Sequence, residues 1–297
     1  MDVINLDPDK FEYKQVVVPL EECSLIYQST DTAMRTRSRI YEGFESCFVL
    51  GPNARGSIDG VELYPYSIIA AGPGAHAELI IDKGYENVGW VVPLTVLDKH
   101  LDLRGRARDF SISDKADVWH PAEEAARELF ELGVRIAETA EENPKIFDEN
   151  RWARYGAQVE FMDALLATIE SCNPGRQVDT DKKSRVYSQI VRRCEDYTLS
   201  LEGRRPYMSE LCDAANVSER TLQIAFKDIM GMSPVTYLHR LRLHRARDEL
   251  RKAESSSTTV TDVAMKWGFW HFGEFSRAYR NCFGEVPSKT LKKNTSA

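Results

Sequence analysis

Apolar and polar positions divide the chain into two regimes. From about Val16 to Val92 the apolar residues come in short runs, Phe48-Val49-Leu50, Ser67-Ile68-Ile69-Ala70, Glu78-Leu79-Ile80-Ile81 and Val88-Gly89-Trp90-Val91-Val92, broken by Gly, Pro, Asn and Asp. Many short strands with turn residues at close intervals predict a barrel or sandwich. After Pro93 the spacing turns helical. Pro121 to Glu142 carries Leu129, Leu132, Val134 and Ile136, and Trp152 to Glu170 carries Phe161, Leu165 and Ile169. The polar run at 173–182 contains Pro174 and Gly175 and predicts a linker, dividing the chain into domains 1–172 and 183–297.

Beyond the linker the pattern is helical and repeats itself. Adding 53 to Leu222, Phe226, Gly231 and Pro234 gives Phe275, Tyr279, Gly284 and Pro287, so an apolar i,i+4 pair, a Gly stop and a Pro recur in register. Met208 to Ala215 reads as a short helix, Asn216-Val217-Ser218 as a turn, and Glu219 to Met230 as a second helix. Thr261 to Trp267 plays the first helix's part in the second copy. Each copy is a helix-turn-helix. Ser233 and Pro234 open a helix to about Ala253 that joins the copies, and Val186 to Leu199 supplies a preceding helix.

Two such units on a linker helix, with the run Gly268-Phe269-Trp270-His271-Phe272-Gly273-Glu274-Phe275-Ser276-Arg277, resemble the DNA-binding domain of the AraC/XylS family of transcription regulators over roughly Lys183 to Lys293. The resemblance implies an α+β multidomain fold: a cupin-like N-terminal β-barrel with a helical dimerisation segment, then an all-α domain of two helix-turn-helix units. It implies double-stranded operator DNA, RNA polymerase and a second copy of the chain as partners, and transcription activation as the outcome. The 121–170 helices resemble the family's dimerisation segment; a role in merely covering the barrel fits them equally.

Charge agrees with a nucleic-acid partner at one end only. Residues 182–297 hold 21 Lys and Arg against 13 Asp and Glu, a net of +8, while residues 1–181 hold 18 against 33, a net of −15. Six scattered cysteines form no C-x-x-C pair and suggest neither a zinc site nor a disulfide framework. The N-terminus lacks a signal-peptide pattern and no apolar run approaches a membrane span, so a cytoplasmic protein with no membrane contact and no cofactor is expected.

A helix in a major groove needs hydrogen-bonding groups near its N-terminus and an apolar side held by its own domain. In the first unit these are Arg220 and Gln223 beside Glu219, with Ile224 for a thymine methyl. In the second, Arg277 is the base reader, with His271 and Ser276 beside it, and the resemblance places Phe272 and Gly273 near the DNA. The alternative for Arg277 is an ion pair with Glu274. Arg192 on the preceding helix, and Arg240, Arg242, Arg245 and Arg247 on the linker helix, read as phosphate contacts or solvated charges.

In the N-terminal domain Arg35, Arg37 and Arg39 alternate directly before an expected strand, and a loop follows with Arg55, Ser57 and Gly60. Arg35-x-x-x-Arg39 with Ser57-x-x-Gly60 resembles the two-part signature of PilZ domains, which implies cyclic di-GMP as effector and control of exopolysaccharide or biofilm genes. Guanidinium forks suit guanine and phosphate. Where PilZ has Asp or Asn two residues before the Ser, this chain has Arg55. A second Arg-x-x-x-Arg, Arg104 to Arg108, ranks lower. A sugar, an amine or an amino acid is the alternative effector. A cupin-type metalloenzyme is the alternative class, but His76 and Glu78 are its only suggestive pair, with His100 and His120 distant in sequence.

Overall fold

A computed structural model describes residues 2–6, 12–103, 115–172, 182–201, 204–253 and 258–293. The expected linker, apart from its last residue, and the pair Arg104 and Arg108 lie outside the described residues. Among the described residues the chain forms two compact units, one from residues 12–172 and one from residues 182–293 together with residues 3–6. The first strand, β1 (Asp2–Asn5), therefore belongs, but for its first residue, with the C-terminal unit.

The N-terminal unit contains β2 (Tyr13–Pro19), β3 (Ser24–Thr30), β4 (Met34–Arg39), β5 (Phe44–Leu50), β6 (Gly56–Ile58), β7 (Val61–Leu63), β8 (Ile68–Ala71), β9 (His76–Ile81), β10 (Tyr85–Pro93), α1 (Leu94–Leu103), β11 (Ala116–Trp119), α2 (Glu123–Glu142), α3 (Lys145–Asp148) and α4 (Arg151–Glu170). Its strands make two sheets, in the orders β11-β8-β5-β10-β3-β2 and β4-β9-β6-β7. The expected closed barrel is not found. The reason is visible in the second sheet, where β6 and β7 are three residues each and too short to carry pairing onward.

Alternation decides what each face of the larger sheet does. Val18, Leu25, Val49, Ile68, Val88 and Trp90 point to one face, where they share a core with Leu97 and Leu101 of α1, Leu129 and Ile136 of α2, and Phe161 and Leu165 of α4. The helices expected at 121–142 and 152–170 thus cover this sheet. The opposite face, with Gln28, Phe48, Ile69 and Asn87, lines a cavity of about 380 Å³ against the smaller sheet.

Two segments differ from the sequence expectation. Arg35, Arg37 and Arg39 lie within β4 rather than ahead of a strand. The expected loop around Ser57 is the hairpin β6–β7, in which Ile58 pairs with Val61 and the two residues between them, Asp59 and Gly60, have φ of 48 and 78. Two positive φ values in a two-residue connection give the turn that follows strand twist, and Asp-Gly is the pair that adopts it at least cost. Gly60 therefore serves the hairpin.

The C-terminal unit comprises α5 (Lys182–Ser200), α6 (Met208–Ala215), α7 (Glu219–Met230), α8 (Pro234–Lys252), α9 (Val260–Lys266), α10 (Phe272–Phe283) and α11 (Pro287–Lys293). Local chemistry fixes its boundaries. Ser218 Oγ accepts from Thr221 N–H at the start of α7, and Ser233 Oγ from Thr236 N–H at the start of α8. Gly231 and Gly284 close α7 and α10 at φ 68 and 71, where a side chain would be strained, which is why the repeat keeps Gly there.

Candidate nucleic-acid interface

Each half of the repeat turns one side of its second helix inward and leaves the other bare. In α7, Leu222, Ala225, Phe226 and Met230 are buried. Phe226 packs on Tyr237 of α8 with ring centroids 5.7 Å apart, and the Tyr237 hydroxyl donates to the buried Glu195 carboxylate of α5. Arg220 and Gln223 are exposed, and Ile224 is half-buried between the two faces. Gln223 Nε2 donates to Glu219 Oε1 at 3.0 Å, which orients the amide along the helix.

In α10, Phe275 and Tyr279 are buried in a core with Leu243, Ala246, Leu250, Val263 and Phe269. Phe269 and Phe275 stand 4.9 Å apart, and the Tyr279 hydroxyl donates to Thr290 Oγ1 at 2.8 Å. His271, Phe272, Gly273 and Arg277 are exposed and Ser276 is half-buried. Arg277 forms no ion pair with Glu274, so its guanidinium stands available. Trp270, which the sequence reading passed over, is 70% exposed and stacks on His271 at 3.6 Å between centroids. The signal for it was there: an indole next to a buried Phe, at the mouth of a helix whose other aromatics turn inward.

The structure brings Arg220, Gln223 and Ile224 onto one helix face and His271, Phe272, Gly273, Ser276 and Arg277 onto another. Arg192 is exposed on α5, while its neighbour Arg193 donates to the Ala215 carbonyl at 3.3 Å and so caps the end of α6.

Of the linker-helix arginines expected as phosphate contacts or solvated charges, Arg240, Arg242 and Arg247 make contacts inside the unit. Arg242 is 6% exposed, lies 5.1 Å over the Phe269 ring, and donates to the carbonyls of Leu238 and Trp267. Burial pulls it down to about 10. Arg247 lies 4.5 Å over Phe283, and its Nη2 is 3.8 Å from Glu285 Oε1. Arg240 donates to the Leu6 carbonyl, and the Asn5 N–H reaches His244 Nε2 at 3.1 Å. Burial and then the nearby Arg247, Arg240 and Arg245 push His244 down to about 3, so it stays neutral and can accept. Three arginines of α8 thus turn toward their own unit.

Most of the residues expected to bind an effector lie away from the cavity. Arg35 is 1% exposed, and its Nη2 is 2.8 Å from Glu78 Oε2; Arg37 Nε is 3.4 Å from the same oxygen. On β4 these two alternate away from Met34, Thr36 and Ser38, which line the cavity. Arg55 is exposed and Ser57 half-buried, and neither lines the cavity, nor does Gly60. Arg39 alone of the set does; it is 58% exposed and 3.6 Å from Glu42 Oε1. Glu78 of the suggested metal pair is thus committed to arginine, and among the described residues no three His, Cys, Asp or Glu side chains gather as metal ligands would. No helix among them is long and apolar enough to cross a membrane.

Comparison with known proteins places the similarity in this unit. Residues 211–293 match the family model described as a helix-turn-helix domain. The chain is 34% identical over 119 residues, 38% of its length and 36% of the relative's, to the probable thc operon regulatory protein of Rhodococcus erythropolis. It is 32% identical over 127 residues, 43% of each chain, to the HTH-type transcriptional activator RhaS of Yersinia pestis. Among solved structures, a probable AraC family transcriptional regulator from Rhodopseudomonas palustris is 36% identical over 35% of this chain and 95% of that one, with a TM-score of 0.32. The chain spans less than half the length of the two relatives named first. These relatives are regulators of transcription and not enzymes.

Proposed function

We propose that the chain is a sequence-specific transcription regulator of the AraC type, most simply an activator acting in the cytoplasm with RNA polymerase, whose grip on DNA is set by an effector in the N-terminal unit. The observation that carries it is the pair of helices α7 and α10, each anchored on one side and presenting Arg220 with Gln223, or His271 with Arg277, on the other. Two such helices read DNA from successive major grooves.

Selection from a randomised duplex library tests this directly. The wild type should enrich a site with two short conserved patches. Arg277→Ala should then cost about 1–3 kcal/mol, confined to one base position. Arg192→Ala should weaken all sequences alike and flatten the salt dependence. Equal, sequence-independent losses from both would remove the base-reading role of Arg277, and no enrichment at all would remove the regulator.

A second copy of the chain is the partner we assign to α4. Trp152 is 78% and Tyr155 49% exposed on one face, with nothing crowding Gly156 between them and the next turn. Trp152→Glu should leave the fold intact and shift the mass seen by light scattering from dimer to monomer. A wild type that is monomeric with and without DNA would end this assignment.

The effector belongs in the cavity between the two sheets, where a ligand that favours the DNA-competent state would shift the population. Cyclic di-GMP, and with it control of exopolysaccharide genes, is the weaker reading. It needs several free guanidinium groups, and Arg35 and Arg37 are held by Glu78 on the face away from the cavity.

A further inference from the structure

The two halves of the repeat differ in length by one residue, and that residue is a bare tryptophan. In the first half the chain leaves α6 through Asn216 at φ 56, and the Val217 N–H donates to the Cys212 carbonyl. In the second it leaves α9 through Gly268 at φ 73, and the Phe269 N–H donates to the Ala264 carbonyl. These are one helix ending displaced by 52 positions, from Asn216 to Gly268. The N-caps that follow, Ser218 and His271, are 53 positions apart. Val217 therefore corresponds to Phe269 and Ser218 to His271, and Trp270 has no counterpart. Phe269 is 3% exposed and belongs to the core, whereas Trp270 is 70% exposed.

The extra residue changes the start of the helix behind it. Ser218 caps α7 with its side chain, but His271 makes no capping hydrogen bond, and its ring lies against the Trp270 indole instead, 3.6 Å between centroids. At the offset of 53, Gly273 stands where α7 has Arg220, and Ser276 where it has Gln223. Open space lies where a side chain on Gly273 would be. α10 thus lacks the two long hydrogen-bonding side chains of α7. In their place it offers an apolar rim at its N-terminus, Trp270 with the 42%-exposed Phe272, and an exposed Arg277 further along. An indole left in water gains by being covered. Residues 182–297 carry a net charge of +8, so the cover that suits this rim is apolar surface presented by a polyanion. In the major groove of a duplex that surface is the thymine 5-methyl group.

We infer that Trp270 is a specificity-determining residue: its indole, flanked by Phe272, packs on the 5-methyl group of one thymine at the edge of the patch that α10 reads. The inference rests on the reading of the chain as a DNA-binding regulator, and it adds to that reading a base contact made without a hydrogen bond. Gly273 and Ser276 serve it by being small, since a short side chain lets the helix come near enough for the ring to reach the base edge. The stack on His271 orders the indole before DNA arrives, which lowers the cost of fixing it on binding. The two helices then read by different chemistry. α7 uses hydrogen bonds from Arg220 and Gln223, and α10 uses a methyl contact together with Arg277.

The test uses the full chain and the duplex selected from the randomised library, with each thymine of its second patch replaced in turn by deoxyuridine. That change removes one methyl group and keeps every hydrogen-bonding atom. At one position the wild type should bind the uracil duplex roughly fourfold more weakly, the worth of one buried methyl group. Trp270→Ala should melt with the wild type, because the ring is largely in water, yet bind the thymine duplex more weakly and no longer distinguish it from the uracil duplex. Trp270→Phe should keep part of the discrimination, and Arg277→Ala should keep all of it while losing its own base position. A second patch without thymine, equal binding of thymine and uracil at every position, or a difference that survives in Trp270→Ala overturns the inference. So does a loss in Trp270→Ala that is uniform over all sequences, which assigns the ring to the sugar-phosphate backbone, and so does an unchanged affinity, which leaves the ring to a protein partner. A wild type that selects two patches but fails the thymine scan rejects the role of Trp270 and keeps the regulator, whereas one that selects no site rejects both.

Discussion

Arg35→Ala should destabilise the N-terminal unit by about 3–5 kcal/mol, because removing one partner of a buried pair strands the other. Arg35 is 1% exposed, and the carboxylate it would abandon belongs to Glu78, itself 7% exposed. Arg37 touches the same oxygen at 3.4 Å and is 23% exposed, so it would offset part of the loss and hold the effect toward the lower figure. Urea denaturation measures it. Replacing both partners, Arg35→Met with Glu78→Leu, should recover most of the loss, since a well-packed apolar pair needs no desolvated charges. A single-variant loss below about 1 kcal/mol would show that the pair is open to water. A fall in ligand binding by Arg35→Ala would say nothing about a guanidinium contact unless the melt is recorded beside it.

The second large effect lies in the other unit. Phe275→Ala should cost about 3–5 kcal/mol, the usual range for deleting a fully buried aromatic ring. Phe275 is 1% exposed, between Phe269 at 4.9 Å and Tyr279 at 5.6 Å, so its removal empties the centre of the core that seats α10. DNA affinity should fall for every sequence. That separates it from Arg277→Ala, two residues further on, which leaves the melt unchanged and alters one base position. Amide exchange should show α9, α10 and α11 losing protection together. If Phe275→Ala melts within about 1 kcal/mol of the wild type, the ring is not what holds the helix.

The contrast between these two residues also says why the sequence was legible in one place and not in the other. Helices announce themselves locally. Ser218, Ser233, Gly231 and Gly284 each sit within a turn of the boundary they set, and the expected span from Glu219 to Met230 matches α7 to the residue. The sheets depend on partners far along the chain. Nothing near Arg35 reveals Glu78, which lies 43 residues away on the neighbouring strand, so three alternating arginines read as an open cluster when two of them are paired. β3 lies in the stretch read as β structure but was not singled out as a run, because its inward positions include Gln28 and Thr30, polar residues that face a cavity instead of a packed core. The same polarity hid Asn87. On α8 the four arginines looked alike in sequence, and the approach of Phe269 to Arg242 and of Phe283 to Arg247, from segments further along the chain, is not written near either one. The repeat and the exposed side of α7 and α10 came from periodicity; the expected closed barrel failed because strand length in β6 and β7 depends on tertiary pairing.

Residues 3–6 group with the C-terminal unit, although the rest of that unit begins at residue 182. Its parts list is therefore not collinear with the gene. A fragment beginning at the linker would lack the carbonyl that Arg240 donates to and the N–H that His244 accepts, two contacts that tie α8 to the first strand. Hybrids made by exchanging everything upstream of the linker would inherit a foreign first strand on their own α8. Modularity in this chain is then a property of three segments, and a graft that moves residues 12–172 alone between fixed ends is the one that respects it.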